Sequence, residues 1–476
     1  MSMLRERLLR HKSTGNQAKP APVPDDSEQS GEWSVIDAHM EHNEWGSFVM
    51  RRRRYDQQAV HGRYVLSELA SQSDKLLHLL GNEESTDELD GLTHEKLLYL
   101  DTETTGLGIG AGNVAFMIGI GFYEEGQFIV EQMFIRDPGE ELGMLHHLHE
   151  KIAKHPYLVT YNGKTFDWPI IKNRYILNRM QLENPIAGHF DFLYPSRSLW
   201  KHTLPSCRLG KVEEERLGVV RKDDVSGALA PVLYFQYLAE RNVSIVEGVF
   251  IHNELDILSL AGLSIHFARI LSGKSNLIDM GLEELYRLGV WLDKLGQQWL
   301  ADQALECLAE RLIGSESVAE QGADDYLLPL AQVYKQKHRY IAAREMWELY
   351  VERKGDRTTA SLDAYVELSM HYEHREKQYG VALTYAEQAL DKAWRQQSLK
   401  RSYGIGGART VGKRQATKSL ENKHEIGIAD LEKRIQRLRQ KSMRVNNQSR
   451  AVKKPNAARS KGQLKSNLGM SMDNLI

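Results

Sequence analysis

The sequence predicts an α/β domain built on a mixed sheet with an antiparallel meander, followed by an all-α domain of helical repeats. Three observations carry this. Strand-like runs at 97–100, 113–122 and 127–135 follow one another through short, glycine-containing turns. Helix and strand patterns then alternate to about residue 272. From residue 280 the two-residue period vanishes, and a helical period recurs in three similar segments to 393. A length of 476 residues leaves room for two or three domains.

Residues 1–45 are polar and carry Pro20, Pro22 and Pro24, so they are expected to be mostly disordered, with Leu4, Leu8 and Leu9 able to form a docking helix. The α/β domain is placed at 46–275. Arg51–Arg54 follows the apolar Phe48-Val49-Met50; such a run can contact phosphate, but more often it is a solvated face or an edge strand. Residues 64–81 read as helical. The run 97–100 (LLYL) is a buried strand, and Asp101 and Glu103 stand at its end. Residues two apart share a strand face, so two carboxylates project side by side. A hard divalent cation compensates such a pair well, since oxygen donors suit it. Segments 140–154 and 168–180 are helical with a strand at 157–161 between them, further helices cover 194–220, and a long helix covers 244–272.

Two further stretches bear chemistry. In YNGKTFD (161–167) a strand ends, a glycine loop follows and Asp167 precedes a helix. Taken by itself Asp167 reads more readily as a helix N-cap, and the Asn162-Gly163 element could bring backbone close to a nucleotide strand. In HNELD (252–256) His252 and Asp256 are four apart and share a helix face. A His/Asp pair on a helix is commonly only a surface pair. A histidine beside a carboxylate is also what activation of a water needs. Asp191 reads as a structural or capping residue, Asp223-Asp224 as an acidic pair in a loop, and Cys207 as a small buried residue.

The helical domain is placed at 280–395. Leu288, Gly289, Leu292, Ala301, Leu305 and Leu308 fit the tetratricopeptide spacing, as do Leu330, Ala331, Tyr334, Ala343, Trp347 and Tyr350. Leu368, Ser369, Tyr372, Ala382, Ala386 and Ala389 fit after one extra residue. A generic helical bundle is the plainer alternative. Residues 396–476 form a basic, largely disordered tail in which Ile428, Leu431, Ile435 and Leu438 mark one helix at 421–442. From Arg395 onward the chain carries 20 Lys and Arg against 5 Asp and Glu, or +15, which leaves −17 for the rest of a chain whose net charge is −2. An acidic body with a basic tail points to a polyanionic partner.

Two cysteines, Cys207 and Cys307, exclude a disulfide framework or a cysteine zinc site and suit the cytoplasm. The N-terminus lacks the apolar core of a signal peptide, and no apolar run reaches the ~18 residues of a membrane span.

LDTETTGL, YNGKTFDWP and HNELD, in that order, resemble the three motifs of the DEDD superfamily of RNase H-fold nucleases. The frame, with HFDFLYPSRSLW, LPSCRLGKVEEERLG, GALAPVLYFQYL and IHNELDILSL, is similar to bacterial YprB-like proteins, which join such a domain to tetratricopeptide repeats. The resemblance covers roughly 45–275 and 280–395. It implies a metal-dependent exonuclease acting 3′→5′, with DNA the favoured substrate, RNA the alternative, and a role in DNA repair. Asp101, Glu103, Asp167 and Asp256 match the carboxylates that hold two Mg²⁺ or Mn²⁺ ions, and His252 matches the general base. The gap from His252 to Asp256 is four, the spacing at which the DEDDy subgroup places a tyrosine; the DEDDh subgroup uses five. Thr104, Asn162, Gly163, Lys164 and Phe166, in the same motifs, are the expected nucleic-acid contacts. The repeats are expected to recruit a protein partner, for which a helicase supplying unwound strand would make sense. A non-catalytic nucleic-acid scaffold is the contrasting class, disfavoured because four unneutralised carboxylates would repel phosphate.

Overall fold

The computed structural model describes residues 32–80, 91–106, 108, 110, 112–181, 186–222, 224–314, 322–402 and 427–452. The expected docking helix around Leu4, Leu8 and Leu9 and most of the basic tail lie outside the described residues. The chain divides into two compact units, Met1–Ala304 and Leu305–Ile476, with the division inside the helix Gln298–Ile313.

The first unit is built on a seven-stranded mixed sheet. Its strands are β1 (Ala38–Asn43), β2 (Gly46–Tyr55), β5 (Leu97–Thr104), β6 (Ala115–Glu124), β7 (Gln127–Phe134), β8 (Tyr157–Thr160) and β9 (Gly188–Asp191), in the order β1-β2-β7-β6-β5-β8-β9. A separate hairpin is formed by β3 (Val60–His61) and β4 (Tyr64–Val65). β5, β6 and β7 are the expected antiparallel meander. β8 and β9 add in parallel beside β5, after the helices Glu141–Lys154 and Asp167–Leu177 respectively. The carboxyl ends of these three parallel strands therefore lie along one edge, where α/β folds place their ligands.

Two expectations change. The first 45 residues are not without structure throughout: from Trp33 they are ordered, and Ala38–Asn43 is the sheet's edge strand, paired with β2. Its sequence AHMEHN reads as polar because it buries only Ala38 and Met40 on one face. Trp33, 1% exposed, pins it by packing edge-on against Tyr237 and Phe250. Arg51–Arg54 lies on an interior strand, between β1 and β7, and not on an edge strand. Arg51 is buried and donates to Ile36 O, Gln132 and Glu254, Arg52 pairs with Glu124 and Glu131, and Arg53 pairs with Asp37. The helical reading of 64–81 becomes the short strand β4 and two 3₁₀ segments, Leu66–Ser71 and Ser73–Leu79.

The long helix Glu247–Leu271 runs against the sheet, and its buried residues from Ile257 to Ile265 are consecutive. A helix apolar on all sides belongs in a core. Two glycines of β6 let it approach. A Cβ on Gly119 would stand 2.0 Å from Asn253 Oδ1, and one on Gly121 would stand 2.5 Å from Ile257 Cγ2.

In the second unit the helices come in packed pairs, Leu327–Gln336 with Tyr340–Lys354 and Asp363–His374 with Tyr379–Ser402. Ala331, Ala343, Ala382, Ala386 and Ala389 are fully buried, which permits close helix approach. The tail helix exists as Ile428–Val452 and buries Leu431, Ile435 and Leu438 on this array. Glu373, with no exposed side-chain surface, receives Arg434, Arg437 and Lys441 from it. Part of the tail's positive charge is therefore spent on internal pairing. Among the described residues no helix is long and apolar enough to cross a membrane, and both cysteines are free.

Candidate active site

Three elements distant in sequence meet at the carboxyl end of β5. The strand carries Asp101-Thr102-Glu103, with Asp101 opposite Gly119 and Glu103 opposite Met117 on β6. The register slips between Glu103 and Thr104, and the pairing closes with Thr104 opposite Ala115. Asp167 is the first residue of its helix, not the N-cap, which is Phe166. Its carboxylate faces the strand instead, accepting from Thr102 Oγ1 at 2.5 Å and Thr102 N at 3.2 Å. Asp256 and His252 lie one turn apart on the long helix, with His252 Nε2 3.6 Å from Asp256 Oδ2.

These acids act on one another. Burial, then the charges of Asp256, Asp167 and Glu103, push the Asp101 carboxyl well above the usual carboxylate range, against the pull of an Asn253 hydrogen bond. Burial, then Asp256, Asp167 and Asp224, raise Glu103 likewise. Burial pushes Asp167 up to about 6, the bonds from Thr102 opposing it. A cluster of buried carboxylates that resist ionisation is an arrangement that a cation relieves.

The long helix also supplies a residue that the sequence did not single out. Asn253, fully buried, donates from Nδ2 to Asp101 Oδ2 at 2.9 Å. Its Oδ1 accepts from Gln132 Nε2 at 2.9 Å, and Gln132 accepts in turn from Arg51 at 2.7 Å. Asp101 is thus held through a chain reaching back to β2. Beyond the end of the π-helical turn Glu213–Leu217, Arg221 enters the site. Its guanidinium donates to Asp256, to both oxygens of buried Glu213, and to Asp224 at 3.1 Å. Burial opposes the Arg221 charge, but Glu213 and Asp256 more than restore it, and its pKa is raised. Asp224 lies 2.8 and 3.0 Å from His252 Nδ1 through its two oxygens. Asn253 stood inside HNELD and Asp224 inside the noted acidic pair. What links them to Asp101 and His252 is visible only in space. Asp223 lies outside the described residues.

The expected nucleic-acid contacts fare differently. Thr104 is buried and donates to Gly106 O. Phe166 packs against the core. Asn162 adopts φ +67°, and its side chain accepts from Thr165 Oγ1. Lys164 is exposed. The loop 162–164 is held by Asp191, whose carboxylate accepts from the backbone N–H groups of Asn162, Lys164 and Leu193, so Asp191 is structural as expected.

Among the described residues no three His, Cys, Asp or Glu side chains, as they stand, are disposed around a common metal position. By donor chemistry the four acids nevertheless fit a hard cation: all donors are oxygen, Glu103 and Asp167 are buried with Asp101 and Asp256 partly so, and their charges oppose one another.

A mixed sheet with an antiparallel meander and acids gathered at the end of an interior strand, between antiparallel β6 and parallel β8, is the frame of an RNase H-like domain. The sequence model of the RNase_H superfamily matches residues 98–268. A domain matching that superfamily supports a nuclease or hydrolase acting on nucleic acid. The chain is 36% identical over 351 residues, 72% of its own length and 81% of the relative's, to the uncharacterized protein YprB of Bacillus subtilis (strain 168), and it belongs to that family.

Proposed function

We propose that the chain is a metal-dependent exonuclease of the DEDD kind, hydrolysing phosphodiester bonds 3′→5′ on DNA and serving DNA repair in the cytoplasm. The observation that carries this reading is the electrostatic coupling of Asp101, Glu103, Asp167 and Asp256, drawn from three separate parts of the chain into one largely buried cluster. These four would hold two Mg²⁺ or Mn²⁺ ions. Bound there, the ions would supply neutralisation of the scissile phosphate and its leaving oxygen.

The chain's own residues do the rest. Asn253 orients the Asp101 carboxylate, and Thr102 orients Asp167. Arg221 Nη1 at 3.1 Å and Asp224 at 2.8 Å both face His252 Nδ1; with the Nδ1 proton donated to the Asp224 carboxylate, Nε2 is the ring's proton acceptor on the side of Asp256. Nε2 would take, or orient, the proton of the attacking water. Arg221 ties Asp256 to Glu213 and keeps the helix face and the preceding segment together. The helix pairs of the second unit, tetratricopeptide-like in their buried small residues, would recruit a protein partner, a helicase being a fitting class.

The test is cleavage of end-labelled single-stranded DNA, duplex DNA and RNA with Mg²⁺ or Mn²⁺. The expected result is stepwise shortening of DNA from its 3′ end, abolished by excess EDTA. Asp101→Asn should lower the rate at least about a hundredfold without lowering the melting temperature, because it relieves repulsion. Undiminished cleavage by that variant or in EDTA would overturn the reading, and shortening of RNA alone would replace DNA as substrate.

A further inference from the structure

The stretch HFDFLYPSRSLW, which no catalytic role absorbs, begins at the same edge as the acids. β9 ends at Asp191, and the helix Leu193–Trp200 starts two residues later. Its outward face carries Tyr194, 48% exposed, then Arg197 and Ser198, and Lys201 follows just beyond its end. These positions are three, four and seven residues along from Tyr194, so they form one stripe. The chain after the helix folds back onto it. Tyr161 Oη donates to Cys207 O at 2.6 Å, and Cys207 Sγ approaches Ser196 O at 3.9 Å. Exposed Arg208 is the next residue of the chain. At the other end Asp191 ties the loop of exposed Lys164 to the helix start, and that loop leads directly into Asp167.

The charge is one-sided. Residues 188–212 hold four Lys and Arg and one acid, Asp191, in a body that is otherwise strongly acidic. Asp191 is buried and consumed by three backbone N–H groups. Among the described residues Lys164, Arg197, Lys201 and Arg208 have no ion-pair partner, as is also true of exposed cations elsewhere in the unit such as Arg63, Lys172 and Lys274; Arg197, Lys201 and Arg208 stand apart because their segment, 188–212, holds no acid but the buried Asp191. An exposed aromatic ring interleaved with unpaired cations suits bases and phosphates together. An acidic peptide would use the cations alone.

We infer that Tyr194, Arg197, Lys201 and Arg208, with Lys164, form a track for single-stranded nucleic acid that leads to the acid cluster. Tyr194 offers a ring for a base to stack on, and the cations neutralise successive phosphates. The inference deepens the nuclease reading and rests on it for the strand's destination.

The experiment uses the full chain carrying Asp101→Asn and a fluorescent oligothymidylate of about 20 nucleotides. The double substitution Arg197→Ala/Lys201→Ala should weaken binding at least about fivefold at 0.1 M salt. It should also reduce the log–log salt slope by about 1.4, the share of two phosphate contacts on a single strand. Tyr194→Ala should weaken binding roughly tenfold with the slope unchanged. An oligonucleotide bearing 5-iododeoxyuridine should photocrosslink to Tyr194. All sites are exposed, and circular dichroism checks the fold. Absence of oligothymidylate binding by the parent, or equal affinity and slope for parent and double variant, overturns the track. So does matched loss of polyglutamate binding without a Tyr194 crosslink, which assigns the face to an acidic protein. If instead the unaltered chain cleaves no nucleic acid while the stripe binds, the nuclease reading fails and the track stands as a binding face.

Discussion

Asn253 shows how much of the candidate site depends on a residue that would not ionise. Its amide satisfies Asp101 on one side and Gln132 on the other, with no exposed surface. Asn253→Ala leaves a buried amide and a buried carboxylate each short of a partner, at a cost of about 1–3 kcal/mol. The expected outcome is a lower urea midpoint together with a loss of cleavage rate. Asn253→Asp, which keeps the shape but adds a fifth negative charge to the cluster, should be the worse of the two in the same measurements. Sequence reading reached Asp101, Glu103, Asp167, His252 and Asp256 because ordered motifs mark them. It passed over Asn253, Arg221 and Glu213 because an asparagine, an arginine or a glutamate in a helical stretch has no pattern until its partner is known. Asp224 was noted as a charge without a role for the same reason.

At the scale of elements, the long helix Glu247–Leu271 and β6 are matched by the absence of side chains. Gly119 and Gly121 read in the sequence only as interruptions of an apolar run. In the structure they are where the helix presses onto the sheet. Gly119→Ala forces Asn253 away, and Asn253 cannot yield without releasing Asp101. A loss of roughly 1–3 kcal/mol is expected, as for overpacking in a core, measured by urea unfolding, with cleavage reduced at temperatures where the variant is still folded. Gly121→Ala meets Ile257 and should destabilise by a similar amount while disturbing Asp101 less. The meander, the two parallel strands and the long helix were legible because their periods are strong. β1 was not, because a half-buried edge strand made of AHMEHN buries too little to betray itself.

Across the whole molecule, each unit carries its own ion network. In the second unit Glu373 anchors the helix Ile428–Val452. Burial resists its charge, but Arg437 and Lys441 hold its pKa down at about 2. A depressed acid contributes stability that is complete above its unfolded value of 4.5 and is lost as pH falls through about 2. Acidification from pH 5 to 2 should therefore release the C-terminal helix, at a cost of up to about 3 kcal/mol, read as increasing cleavage of that helix by pepsin. Glu373→Gln should loosen the same helix already at neutral pH, read with trypsin, and flatten the pH response. The tail's basic composition points to a polyanionic partner, and its helix by spacing alone could cap the helical array or dock a partner. The structure shows that one of its faces is committed inward, to Leu431, Ile435, Leu438 and Glu373.

By itself the sequence determined the class of fold, the strand end with its two carboxylates, the helix that carries His252 and Asp256, and the change to helical pairs after residue 280. These follow from local period and composition, which are properties of neighbours along the chain. Only the tertiary structure decided that Asp101 answers to Asn253, that Arg51–Arg54 serves an interior strand, that Arg221 and Asp224 hold the His252–Asp256 face, and that an unpaired basic stripe runs from the same edge. Those are properties of neighbours in space. Burial sets their worth, since a charge or amide removed from water must find its partner wherever the fold brings one.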